Sequence, residues 1–239
     1  MSQEGKRANQ NVQSDKATLS NQAGKEHDTA SAMPKANRQP ADATDRELGQ
    51  NATNKQRAST RLDLFDNSDF HPGNVVKRLL WICFSGLFFQ SWIPWPSKLK
   101  STLLRGFGAR IGKGLVIKPR VTIKYPWKLR IGDHAWIGEN VWIDNLAEVT
   151  IGNHVCISQG ALLLCGNHNF KTPTFDLITR PITLEDGVWI GAQSIIAPGV
   201  TCGSHSVLAL GSVAAKDLEA WTVYQGNPAT AKKPRPTNS

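Results

Sequence analysis

The sequence predicts an all-β protein: a parallel β-helix of triangular coils, with a short helical segment and a polar tail before it. Three observations predict it. Aliphatic residues recur at every sixth position through residues 111–215. Glycine and other small residues hold fixed places between them. One long interruption, 164–183, breaks the period.

Length and composition set the bounds. The 239 residues suit one domain or two small ones. Charged residues are 20% and hydrophobic residues 40%, a soluble globular composition. A formal charge of +9 suits an anionic ligand or surface. The Lys and Arg residues are scattered rather than blocked, so no nucleic-acid partner is expected. Cys83, Cys156, Cys165 and Cys202 form no CxxC pair, which argues against a disulfide framework and a structural zinc site. The chain opens on a polar stretch without a secretory pattern, so a reduced cytoplasmic setting is the expectation.

Residues 1–60 contain no Phe, Trp, Tyr, Ile or Cys. Such a segment buries too little apolar surface to offset its chain entropy, and the reading is a disordered polar tail. Residues 61–110 lead into the solenoid. Leu79–Trp95 reads LLWICFSGLFFQSWIPW, with twelve apolar residues in seventeen. Asn74 is placed to start a helix, and Pro94 and Pro96 to end it. The run is shorter than the about 20 apolar residues of a bilayer span. Two readings stay open: a helix packed on the main domain, or a helix lying in a membrane interface with its Trp residues at headgroup depth.

The repeat runs through Ile111, Ile117 and Ile123, then Ile131, Ile137 and Ile143, then Ile151, Ile157 and Leu163. It resumes at Leu184, Ile190 and Ile196 and continues to Cys202, Leu208 and Ala214. Gly follows the aliphatic at 112, 132, 138, 152, 191 and 203. A second restricted position, small or β-branched, falls four residues after each aliphatic, with Leu115 the exception. A helix would space its apolar face at three and four, and a long strand at two. A period of six fits a short strand plus a turn, three such units making one triangular coil. The Gly is expected to serve the tight turn and any positive φ there. Two-residue slips before Ile131, Ile151 and Leu184 read as corner bulges.

The long interruption reads LLCGNHNFKTPTFDLITRPIT. A solenoid that extrudes one loop does so, as a rule, for function. His134, His154 and His205 share a repeat position three residues after the aliphatic, an outward turn where Asp, Asn or Lys should serve as well. His27 lies in the tail and His71 precedes Pro72. Only His168 stands in the extruded loop, and a neutral imidazole is the natural general base at cytosolic pH. Cys165 is a competing nucleophile, but its apolar neighbours favour a small buried side chain.

The order GNHN, a loop ending in RPI, then VWIGAQSIIAPGV, resembles the hexapeptide-repeat O-acetyltransferases. The resemblance implies a left-handed β-helix, a homotrimer with sites built between chains, and acetyl-CoA as co-substrate. It implies that the loop histidine, His168, deprotonates an acceptor hydroxyl, which attacks the thioester directly. Residues 211–229, GSVAAKDLEAWTVYQGNPA, resemble the closing pattern of the same family. The implied CoA contacts are Ala192, Leu210, Ala215, Lys216 and Lys233, the two lysines meeting phosphates as point charges. Ala209, Leu210 and Ala214–Ala215 depart from the family's usual residues. Asp144, Asn145 and Asn167 are the implied acceptor-binding residues. No metal is implied.

The stretches FDNSDFHPGNVVKRLLW, LLRGFGARIGKGLVIKP and YPWKLRIGDHAWIGENVWIDNLAEVTIG resemble the colanic-acid type of exopolysaccharide acetyltransferase. That resemblance covers about residues 61–233 and implies a sugar acceptor, plausibly carried on a lipid at the cytoplasmic face, with peripheral membrane contact through 79–95. A free sugar or other small hydroxyl acceptor is the alternative substrate, and a non-catalytic scaffold the alternative role. A γ-type carbonic anhydrase would need two further zinc histidines that His168 lacks. A nucleotidyltransferase would need a glycine-rich nucleotide domain, and a serine acetyltransferase a larger helical domain, before residue 111.

Overall fold

Residues 59–236 are described by a computed structural model of the chain; the tail expectation, but for residues 59 and 60, lies outside them. The hexapeptide period becomes a prism with three parallel faces. The first face stacks Arg110–Ile111, Leu129–Ile131, Val149–Ile151, Ile182–Leu184 and Thr201–Cys202. The second stacks Val116–Ile117, Trp136–Ile137, Cys156–Ile157, Trp189–Ile190 and Val207–Leu208. The third stacks Thr122–Ile123, Trp142–Asp144, Leu162–Leu164, Ile195–Ile196 and Val213–Ala214. Each strand pairs with its equivalent one coil away, so Ile117, Ile137, Ile157, Ile190 and Leu208 form one column. From Ile117 to Ala214, every repeat aliphatic is at most 3% exposed. The small residues four positions on, from Val121 to Ser212, close the corners and are buried too.

The glycines do something other than expected. Those following the aliphatics do not carry the positive φ. A Cβ on Gly138 would stand 2.6 Å from Gln159 N, and one on Gly191 2.5 Å from Leu210 N. They are glycine because the next coil's backbone passes there. The left-handed residue comes two positions later, and His134, His154 and His205 occupy it with φ of 56°, 55° and 58°. The turn histidines are therefore not freely replaceable: a Lys there would pay a strain that Asn, Asp or Gly tolerate better. Two of these rings, His134 and His154, stack on each other, and His205 stacks on Trp221.

The aromatic run is not one helix. Helix α1 spans Val75–Phe88, capped by the Asn74 side chain accepting from Lys77 N. It stops seven residues before Trp95, and a second helix, α2, runs from Ser97 to Gly106 with Pro96 at its N-cap. Pro96 thus opens a helix rather than closing one. Trp81 and Phe89 bury one edge of α1 against the first coil, with Trp81 Nε1 donating to Ile123 O at 2.8 Å. Lys100 of α2, fully buried, donates to Lys118 O at 2.9 Å, and burial holds its pKa below the usual lysine value. Lys100 closes the open end of the first coil. At the other end the antiparallel pair Thr222–Gly226 and Ala229–Pro234 extends the second face.

Candidate active site

All three departures from the period fall at one corner, between the third face and the first: residues 124–128, 145–148 and 165–181. The widest departure folds as a β-hairpin, Gly166–His168 against Leu177–Thr179, standing off the prism. Gly166 stands at its base, where a Cβ would lie 2.5 Å from the end of the Leu146 side chain.

His168 is fixed on three sides. Its Nδ1 lies 2.9 Å from the carbonyl oxygen of Phe175. A carbonyl only accepts, so in the neutral ring it is Nδ1 that carries the proton and Nε2 the lone pair. The Phe175 ring stacks on the imidazole at 4.4 Å, while Phe65 packs from another side at 5.7 Å. Phe175 holds a positive φ of 52°, an unfavoured conformation for an aromatic residue that turns its carbonyl back onto His168. The segment before α1 is thereby part of the site: Arg61 N also donates to Pro173 O at 2.8 Å. A pocket of about 500 Å³ opens in front of His168, lined by Phe65, Phe70, Arg78, Lys124, Tyr125 and Leu146 among others.

The other expected site residues are placed as follows. Asn145 is fully buried, and both its amide atoms pair with the backbone of Tyr125, accepting from N at 2.9 Å and donating to O at 2.6 Å. It holds the two slipped corners together, and neither it nor Asp144 nor Asn167 is among the residues that line the His168 pocket. Asp144 stands beside Gly166, with Oδ1 3.0 Å from Lys124 Nζ. Asn167 is exposed, its Oδ1 accepting from the backbone N of His168. Cys165 is fully buried and burial pushes its thiol up to about 11, so it is a core side chain and not a nucleophile at neutral pH. Ala192 and Leu210 lie at the second-to-third corner of the last coils, Leu210 being 77% exposed. Ala215 and Lys216 are exposed on the last turn of the corner that carries the hairpin, and Lys233 lies in the terminal β-pair opposite Val223. Among the described residues, no three His, Cys, Asp or Glu side chains converge as a cation site.

Sequence reasoning did not find Phe65, Phe70, Tyr125 and Phe175. The available signal was the aromatic and Asp spacing of FDNSDF and the YPW at the first slip. Lys128 sits between two of these rings, 4.8 Å over Phe70 and 5.7 Å over Tyr125, and burial lowers its pKa.

The activity is shown by comparison with known proteins. WcaF of Escherichia coli (strain K12), provisionally assigned as a colanic acid biosynthesis acetyltransferase, is 40% identical over 167 residues, covering 70% of this chain and 91% of its own. The galactoside O-acetyltransferase of the same organism is 31% identical over 138 residues, 56% of this chain and 68% of its own. A hexapeptide-repeat acetyltransferase from Vibrio cholerae, solved with acetyl-coenzyme A, superposes with a TM-score of 0.61 at 28% identity, covering 68% of this chain and 88% of that one. A galactoside acetyltransferase in complex with coenzyme A gives 0.60 at 26% identity, covering 67% and 82%. No family model matches the chain. The chain belongs to the hexapeptide-repeat acetyltransferases, with their left-handed parallel β-helix. It is an acetyl-CoA-dependent acetyltransferase whose likeness to WcaF spans nearly all of that relative.

Proposed function

We propose that the chain acetylates a sugar hydroxyl of a colanic-acid-like exopolysaccharide repeat unit, with His168 as general base. The observation that supports this most is the contact of Nδ1 with the Phe175 carbonyl, which leaves Nε2 of the neutral ring as an acceptor on a residue that lines the pocket. In this reading Nε2 takes the proton of the acceptor O–H as its oxygen attacks the thioester carbon. A C–O bond forms and the carbonyl becomes a tetrahedral oxyanion, stabilised by aimed N–H donors. Collapse breaks the C–S bond, and the Nε2 proton passes to the departing sulfur. Products are the O-acetyl sugar and CoA, with His168 neutral again. In this reading Asp144, Asn145 and Asn167 bind acceptor hydroxyls. Backbone groups at Ala192, Leu210 and Ala215 hold the cofactor, and Lys216 and Lys233 meet its phosphates.

The assembly in this reading is a homotrimer. Half-exposed Trp136 and Trp189 on the second face and Trp142 on the third give the prism apolar sides suited to a partner. The enzyme works in the cytoplasm, where acetyl-CoA is available, on an acceptor carried by a lipid at the inner membrane face.

The test is thiol release from acetyl-CoA in the presence of lipid-linked repeat-unit oligosaccharides, with mass spectrometry of the products. Acceptor-dependent release and the mass gain of one acetyl group are expected. Release independent of any sugar, or acetyl found on an amine, would overturn the reading.

A further inference from the structure

Residues 70–132 contain twelve Lys and Arg and not one Asp or Glu. The chain holds 28 cations and 19 acids in all, so what remains outside that stretch is net acidic. The positive charge that looks scattered by spacing is therefore segregated onto one end of the solenoid: the two helices and the first coil.

That end also carries an apolar surface that no other described residue covers. Leu79, Leu80, Ile82 and Leu87 of α1 are 50–64% exposed, followed by Trp92 at 77% and Ile93 at 50%. From Leu79 to Leu87, Ser85 is the only polar side chain, and it is buried. The helix is amphipathic in reverse: Lys77 and Arg78 are half-buried on the solenoid side while the hydrocarbon faces out. A helix at a water surface shows the opposite arrangement, and an exposed contiguous apolar patch marks an interaction site. The guanidinium of Arg120 lies 4.0 Å over the exposed Trp92 ring, so a cation rims the patch. Lys98, exposed on α2, adds another.

We infer that this end of the molecule is a docking surface for an anionic lipid bilayer, with α1 lying in the interface plane. Apolar burial plus attraction to anionic headgroups is what binds an interfacial helix. Charge opposes a two-fold pairing of this end with itself, which would set one cation-rich surface against another, and the three-fold contact proposed above is assigned to the Trp-bearing prism faces instead. No described helix is long and apolar enough to cross a membrane, which agrees with a helix that lies on it. The orientation has a consequence for the site. Arg78, Lys124 and Tyr125 line both the His168 pocket and a second, mainly apolar cavity of about 350 Å³ under α1. The pocket therefore opens beside the docked helix.

This inference does not depend on the catalytic reading, and the experiment separates them. The full-length chain is sedimented with vesicles of phosphatidylcholine alone or mixed with phosphatidylglycerol, and turnover on a soluble sugar acceptor is measured without vesicles. Binding to the phosphatidylglycerol vesicles, weakened near 1 M salt, is expected, with little binding to phosphatidylcholine. Replacing Leu79, Leu80 and Leu87 together by Gln is expected to weaken it roughly tenfold or more, and Lys98→Glu with Arg120→Glu by a similar factor. Turnover on the soluble acceptor should be unchanged in both, with circular dichroism reporting the fold. The charge-reversed variant stands as the test if the Gln variant does not fold. Absence of binding to either vesicle, binding indifferent to vesicle charge, or a loss of oligomer mass in the Gln variant would each overturn the inference.

Discussion

His168 is held by Phe175, a residue seven positions on that supplies both a carbonyl to Nδ1 and a ring to one imidazole face. Phe175→Ala keeps the carbonyl and removes the ring. It should lower kcat by roughly 10–10²-fold through misplacement of the base, with acetyl-CoA affinity unchanged in calorimetry. Cys165 gives a second check at this scale. A thiol pushed up to about 11 is protonated, and so unreactive, everywhere below that pH. Iodoacetamide at about pH 8 should label the exposed Cys83 and spare Cys165 and Cys202, read by peptide mass spectrometry. Labelling of Cys165 in the folded protein would reopen it as a nucleophile. His168 was legible because it alone among the histidines stands in the loop that interrupts the repeat. The pairing of Asn145 was not, because its amide meets a backbone twenty residues away, and nothing local marks that contact.

At the scale of the coil, the hexapeptide spacing predicts every strand of the prism, since each layer repeats the same burial problem. The spacing misassigns the glycines, because a close approach between successive coils leaves the same residue signature as a positive φ. The two demands separate by mutation. Gly138→Ala puts a methyl group against the backbone of residues 158 and 159, and should cost about 1–3 kcal/mol in thermal or denaturant unfolding. Asn140→Gly, at φ 57°, should be within about 1 kcal/mol of the parent. The corner ladder adds a pH signature. Asp186 Oδ1 accepts from Asn153 N at 2.7 Å, and that bond holds the carboxyl below its usual pKa. A depressed pKa contributes stability above the unfolded carboxylate range and loses it as pH falls through the folded value. Asp186→Ala should therefore lower Tm at pH 7 more than at pH 3. The helices were read less well than the coils. The aromatic composition of 79–95 runs unbroken past the end of α1 at Phe88, so composition hid the turn between α1 and α2.

The described residues join a regular prism to one irregular corner, and the candidate site gathers where the regularity fails. The hairpin, the two slips and the segment before α1 meet there, the last of them reaching His168 from a hundred residues upstream through Phe65. Chain-distant contacts of that kind leave no periodic trace, which is why the pocket's aromatic walls escaped the sequence while its histidine did not. Apolar prism faces predict self-association, and light scattering should give the mass of three chains; a fully active monomer would refute it. The base itself is tested most directly by His168→Ala, assayed for turnover and for acetyl-CoA binding on one preparation. The account predicts a 10²–10⁴-fold loss of turnover with acetyl-CoA affinity and unfolding temperature preserved, since the hairpin stands outside the prism core. A variant that keeps most of its turnover would contradict it.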